Sequence, residues 1–367
     1  MKKIKVLVVD DSALMRKIIS DMINSEMNME AIGTARNGQD LFFKLEKFTP
    51  DVITLDVQMP IMDGISALKE MKRKNINVPV IVLSSMTKKS SELTMECLEN
   101  GAFDFIPKPS GTISLDINKV KDDLITKINL AYEKCEGGCK EKDIRKNAIE
   151  SINNQELIVK ENKDVNINSK LKKNSSNKIE AVVIGASTGG PKALYSVITK
   201  LPKNINIPIF IVQHMPATFT KAFADRLNNN SNIKVVEAKE GDVIEKNVAY
   251  VAPGGFHMEI GLDKKIHLNT EPSIWGVRPA VDKLFISASK VYKDRLLSVV
   301  LTGMGRDGAD GTDIIKDKGG ITISEDKSTC TIYGMPKATF ETGKVDMVLP
   351  LHVIGEEITR IVKESWR

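Results

Sequence analysis

The chain has 367 residues and a formal net charge of +5, with 41% apolar and 28% charged residues, ordinary proportions for globular material long enough to form two domains. That charge is small for the length and argues neither for nor against nucleic acid, while 5% aromatics weakens any base-stacking role. The four cysteines and four histidines fit no zinc spacing, and the C-x3-C pair Cys135/Cys139 lies in a polar stretch with no matching second pair.

The chain opens MKKIKVLVVDD, basic and then briefly apolar, but the apolar run ends in two aspartates, which excludes a signal peptide. No segment is long and apolar enough to span a bilayer, so no membrane insertion is expected and reduced cytoplasm is the expected compartment. Up to about residue 120, strand patterns (KVLVVDD, DVITLDV, PVIVLSS, AFDFIPKP) alternate with helical ones such as SALMRKIISDMINS, where Ser12 can cap, and ISALKEMKRK. The alternation predicts right-handed crossovers and a doubly wound parallel sheet, whose ligands collect at the carboxyl ends of strands.

Those strand ends carry Asp10 and Asp11, Asp56, Ser84 and Ser85, and Lys108. Converging carboxylates repel one another unless a cation lies among them, and oxygen ligands suit Mg2+. An ion bridging Asp11 and Asp56 could neutralise a transferring phosphoryl group while a hydroxyl and a lysine hold its oxygens.

With VVDDS, TLDVQMPIMDG, VLSS and the KP of IPKP, this first third resembles a response-regulator receiver domain, expected over residues 1–122 with a flavodoxin-type fold. The resemblance implies that Asp56 accepts a phosphoryl group from a histidine kinase of the chemotaxis type. It implies Mg2+ held by Asp11, Asp56 and the backbone carbonyl of Gln58, with Asp10 close by. Ser84 takes the hydroxyl position, Lys108 the lysine position and Phe105 the aromatic switch position. The Lys108–Pro109 bond is a candidate cis peptide.

From about Tyr132 the sequence turns rich in Lys, Glu and Asn without a sustained apolar period, and residues 133–178 read as a flexible charged linker, with a marginal helix possible in DIRKNAIESINNQELIVK. A second folded unit, residues 179–367, again alternates strands (AVVIG, IPIFIVQH, IKVVEAK, VAYVAP, LLSVVLTG, ITISE, DMVLP) with helices, and a hairpin-like excursion is expected near residues 243–268. A second, largely parallel, Rossmann-like α/β sheet follows from that pattern.

In that unit AVVIGASTGG leads from a buried strand through a small-residue turn into PKALYSVITKL, with Pro191 in the first helical turn. Gly-x-Ser-x-Gly in this position has the form of a nucleophile elbow exposing Ser187. The same turn suits an anion cradle, or Ser187 could be only a helix cap. A nucleophile needs a base and an orienting carboxylate. His214 ends the strand IPIFIVQ, with His257 after VAPGG second; His267 and His352 are further histidines. Asp242, Asp282 and Asp307 are the carboxylate candidates, Asp282 lying in an apparent helix where capping or a surface role is expected. LLSVVLTGMGRDGADG delivers Asp307 to the same sheet edge, and its loop Thr302–Gly305 could bring N–H groups to an oxyanion.

The order Ser187, His214, Asp307 differs from that of α/β-hydrolases. With IGASTGGPKAL, QHMPATFTKAFADRL, YVAPGGFHM, RPAVDKLF and LTGMGRDGADG, the second unit is similar to the catalytic domain of the chemotaxis receptor methylesterases (CheB family), in which a receiver stands in front. The resemblance implies Ser187 as nucleophile, His214 as general base then acid, Asp307 as orienting carboxylate, and Thr188 and Met304 as assisting the oxyanion. The substrates implied are γ-glutamyl methyl esters on chemoreceptors, and the same machinery could deamidate receptor glutamines. No cofactor is expected for the esterase reaction and no nucleic acid as partner. The rivals, a DNA-binding output and a nucleotide-binding output, lack a helix-turn-helix in the one case and an acidic ribose partner near position 205 in the other.

Overall fold

The computed structural model describes residues 3–108, 115–152 and 178–366. Pro109, with its candidate cis bond, and residues 153–177 of the expected linker lie outside the described residues, as does the side chain of Cys139.

The first sheet is built from β1 (Ile4–Val9), β2 (Met29–Ala35), β3 (Val52–Asp56), β4 (Val80–Ser84) and β5 (Asp104–Pro107), all parallel in the order β2-β1-β3-β4-β5. β3 and β4 are buried at every position, which is why they read as unbroken apolar runs in the sequence. β2 was not expected: it is an edge strand, half exposed, and MEAIGTA offers no continuous apolar run. Helices α1 (Ala13–Asn24), α2 (Gly38–Leu45), α3 (Gly64–Arg73), α4 (Lys88–Glu99) and α5 (Leu115–Ile152) cover both faces. Ser12 caps α1 as expected, its hydroxyl accepting from Met15 N. α5 continues as helix into the segment expected to be a linker.

The second sheet has seven parallel strands in the order β14-β13-β12-β6-β7-β9-β8. They are β6 (Ala181–Ala186), β7 (Ile209–Gln213), β8 (Lys234–Glu237), β9 (Val248–Val251), β12 (Leu296–Val300), β13 (Ile321–Glu325) and β14 (Met347–Leu349). Strands β10 (His257–Ile260) and β11 (Ile266–Asn269) pair antiparallel as a separate hairpin, beginning later than the sequence pattern implied. Around these lie α6 (Gly190–Ile198), α7 (Phe219–Asn230), α8 (Val281–Tyr292), α9 (Ala309–Asp317), α10 (Met335–Glu341) and α11 (Leu351–Glu364).

The two units are packed together. One apolar cluster runs from Leu98 and Phe105 of the first into Leu194, Phe219 and Leu227 of the second. The Phe105 and Phe219 rings are 4.5 Å apart, and Arg226 on α7 pairs with Glu99 at the end of α4, Nε to Oε1 at 2.6 Å. A cleft of about 500 Å³ between the units is bounded on one side by Gly189, Pro191 and Thr331. No helix among the described residues is long and apolar enough to cross a membrane.

Candidate active site

Strand order decides which side chains meet. β6 lies between β7 and β12, so the residues that follow these three strands emerge side by side at one sheet edge. Ser187 follows β6, His214 follows β7, and the loop carrying Asp307 follows β12.

The turn at Ser187 is held by its own backbone. Ser187 N donates to Thr302 O at 3.0 Å, and Ser187 O accepts from Gly190 N at 2.7 Å and Gln213 Nε2 at 2.9 Å. A Cβ on Gly190 would fall 1.9 Å from Gln213 Oε1, so only glycine permits that close crossing. A Cβ on Gly303 would fall 2.8 Å from Ser187 Cβ, which presses the Gly303–Met304 backbone against the serine. Thr188 is buried and its carbonyl accepts from Thr302 Oγ1 at 3.0 Å, while the Met304 side chain is half exposed beside the site.

His214 Nε2 donates to Asp307 Oδ2 at 2.8 Å. Asp307 is buried and also accepts from Val281 N at 2.6 Å and Asp282 N at 2.9 Å, the first N–H groups of α8. Burial alone would push its carboxyl up, but the His214 hydrogen bond and charge, with those two N–H groups, hold it below the ordinary carboxylate range. An ionised Asp307 accepts a hydrogen bond from Nε2, which selects the tautomer with its lone pair on Nδ1.

The other candidates are placed elsewhere or otherwise employed. His257 is buried with Nδ1 accepting from Ala280 N at 3.2 Å and Nε2 donating to Pro272 O at 3.1 Å, so both ring nitrogens are used by backbone. His267 is exposed between Glu240 and Asp263. Asp242 accepts from Lys239 N in a turn. Asp282 is no surface residue: it is buried, and it caps α9 rather than its own helix, accepting from Gly308 N at 3.0 Å and Gly311 N at 2.8 Å. Glu325, overlooked in the sequence, is fully buried at the end of β13 and accepts from Thr302 N at 2.8 Å. Its place after the apolar run of ITISE was the available signal.

In the first unit Asp10, Asp11 and Asp56 offer carboxylate oxygens within 4.8 Å of one another. Lys108 Nζ reaches Asp10 Oδ2 at 2.7 Å and Asp56 Oδ2 at 2.8 Å. Burial pushes the Asp56 carboxyl up, Asp10 adds to this, and Lys108 with the Gln58 N–H opposes it. Ser84 is buried and receives the Thr94 hydroxyl at 2.6 Å. Three carboxylates with one lysine among them fit a divalent cation, with oxygen donors in the right chemical class.

A family model described as CheB methylesterase matches residues 182–358, and one for the response regulator receiver domain matches residues 6–117. Over 363 residues the chain is 57% identical to a protein-glutamate methylesterase/protein-glutamine glutaminase of Clostridium acetobutylicum, covering 99% of each chain. A crystal structure of the Thermotoga maritima CheB methylesterase catalytic domain is 44% identical, covering 51% of this chain and 99% of that one at a TM-score of 0.49. The response regulator domain of Thermotoga maritima CheB is also 44% identical, covering 36% of this chain and 98% of that one at a TM-score of 0.33. With a receiver domain followed by this strand-end constellation, and identity sustained over its whole length, the chain belongs to the CheB methylesterase family.

Proposed function

We propose that the protein hydrolyses γ-glutamyl methyl esters on the cytoplasmic helices of chemoreceptors, giving glutamate and methanol. Amide and ester share a tetrahedral intermediate, so deamidation of receptor glutamines belongs to the same reading, in keeping with the double name of the Clostridium relative. The observation that carries it is the 2.8 Å bond from His214 to Asp307 at the sheet edge where Ser187 emerges.

His214 Nδ1 takes the Ser187 hydroxyl proton as Oγ attacks the ester carbonyl carbon. Asp307 stabilises the imidazolium that forms. Backbone N–H groups of the Thr188 turn and the Gly303–Met304 loop receive the oxyanion, a contribution of typically 10²–10³ in turnover per donor, by order of magnitude. The imidazolium returns the proton to the methoxide oxygen, methanol leaves, and an acyl-serine remains. A water molecule deprotonated by His214 then attacks the acyl carbon, and Ser187 leaves with the proton restored.

Asp56 is the proposed phosphoryl acceptor, with the chemotaxis histidine kinase as donor. Asp10, Asp11, Asp56 and the Gln58 carbonyl would hold Mg2+, which when bound neutralises charge on the phosphoryl oxygens. Ser84 and Lys108 hold the remaining oxygens. The unphosphorylated receiver restricts access to Ser187, a reading supported by the packing of Phe105 on Phe219 and by the cleft edge at Gly189 and Pro191. Phosphorylation shifts the population toward an open arrangement.

The test is methanol release from methylated receptor by wild type, Ser187→Ala and Asp56→Asn. Loss of release in the serine variant is expected; retained release would remove the proposed nucleophile.

A further inference from the structure

Asp282 is a buried carboxylate beside the site to which the reaction assigns no step. It stands in the first turn of α8, whose N–H groups are capped by Asp307, while its own carboxylate caps α9, the helix that follows Asp307. The two helices thus exchange caps, α8 receiving Asp307 from the loop that leads into α9 and α9 receiving Asp282 from α8. The N-cap position of α9 is Gly308, which has φ +96 and no side chain with which to cap, so the oxygen has to come from elsewhere. Asp282 Oδ1 supplies it, and Oδ2 is fixed by Trp275 Nε1 at 3.1 Å. Gly308 is the residue next to Asp307, so the point at which Asp282 grips the chain is one peptide from the carboxylate on His214.

Resting on the Ser187–His214–Asp307 reading, we infer that Asp282 is a positioning residue for the esterase: by holding Gly308 and Gly311 to the start of α8 it keeps Asp307 Oδ2 on His214 Nε2. The arrangement is not what a plain structural cap needs. Burial, then the charge of Asp307, pushes the Asp282 carboxyl up to about 6, with Asp310 adding to the effect. Arg306 lies 4.9 Å over the Trp275 ring and pairs with Asp310. Asp282 also places a second negative charge behind the Asp307 carboxylate, which a neutral cap would not do.

The experiment uses the full chain with methylated receptor, and compares Asp282→Ala, Asp282→Asn, Asp307→Asn and Ser187→Ala with wild type. Methanol release gives kcat and KM, its pH profile gives the acid limb, and NMR follows the Nε2 proton of His214. Misplacement by about 1 Å typically costs on the order of 10²-fold in rate. For Asp282→Ala a kcat loss of about that size is expected, with KM changed by less than about threefold. Asp282→Asn keeps an acceptor for α9 but not the charge, so a smaller loss is expected. In both variants the acid limb moves to lower pH, and the His214 proton exchanges faster with solvent. If Asp282→Ala does not fold, Asp282→Asn decides. Folded Asp282 variants with wild-type kcat, acid limb and His214 resonance would overturn the inference while an inactive Ser187→Ala leaves the triad standing. An active Ser187→Ala would bring down the triad, and this inference with it.

Discussion

Asp307 meets His214 through Nε2, at 2.8 Å, and this bond selects the tautomer of the imidazole. Three donors converge on the Asp307 carboxylate, and a neutral amide at this position cannot accept all of them in the same geometry. Asp307→Asn is expected to lower kcat for methanol release by roughly 10³–10⁴-fold, through the wrong tautomer of His214. Nitrogen NMR of the His214 ring reads the tautomer directly, and an unchanged Nε2 proton in the variant would contradict this account.

The junction between the units gives a second expectation. Arg226 and Glu99 are partly exposed, and such pairs are worth about 0.2–1 kcal/mol. Arg226→Ala is therefore expected to raise the basal activity of the unphosphorylated full chain, by at most about fivefold. Activity equal to or below wild type would show that this contact does not help to hold the receiver over the site.

Phosphorylation supplies a third. Asp56→Asn is expected to keep the basal esterase rate and to lose all stimulation by a phosphorylated chemotaxis kinase. Chelating divalent cations should reproduce the second effect and spare the first, because the carboxylate cluster lies in the receiver and the esterase residues do not. Loss of basal release on chelation would place a metal in the esterase chemistry.

Two neighbouring carboxylates should have opposite effects on stability against pH. Asp307 is held below its ordinary range, so its contribution is present above the unfolded pKa and is lost as pH falls through the lower folded value. Asp282, pushed up to about 6, contributes most below the unfolded value and loses that contribution as pH rises toward 6. The stability of Asp282→Asn, relative to wild type, should therefore be more favourable at pH 7.5 than at pH 5, by on the order of 1 kcal/mol. Calorimetry across that range checks the sign; a constant offset would refute it.

Glu325 offers a mutation whose effect travels through backbone. Its carboxylate accepts from Thr302 N and from Thr329 Oγ1 at 3.0 Å, and Thr302 O in turn accepts from Ser187 N. Glu325→Ala leaves the buried Thr302 N–H unsatisfied, at about 1–3 kcal/mol. A lower melting temperature and a reduced kcat are expected together.

Much of this protein was legible in one dimension. Strands buried on both faces, such as Val52–Asp56 and Ala181–Ala186, are continuous apolar runs, and their alternation with helical periods implied two parallel sheets. The residues at their carboxyl ends named Asp10, Asp11, Asp56, Lys108, Ser187 and His214, because a parallel sheet gathers those ends at one edge. The half-exposed β2 escaped notice for the converse reason, having no such run.

What the tertiary structure decided were relationships that no local pattern encodes. Strand order put β6 between β7 and β12 and so brought the loop of Asp307 to His214. Folding also buried Asp282 under α9 and drew Glu325 onto Thr302, whereas helical periodicity alone left capping and a surface role both open for the first. The packing of Phe105 on Phe219 belongs to the same class. Residues distant in the chain meet only when sheets close and helices pack, so their hydrogen bonds, and the charge states those bonds enforce, are properties of the fold and not of any segment.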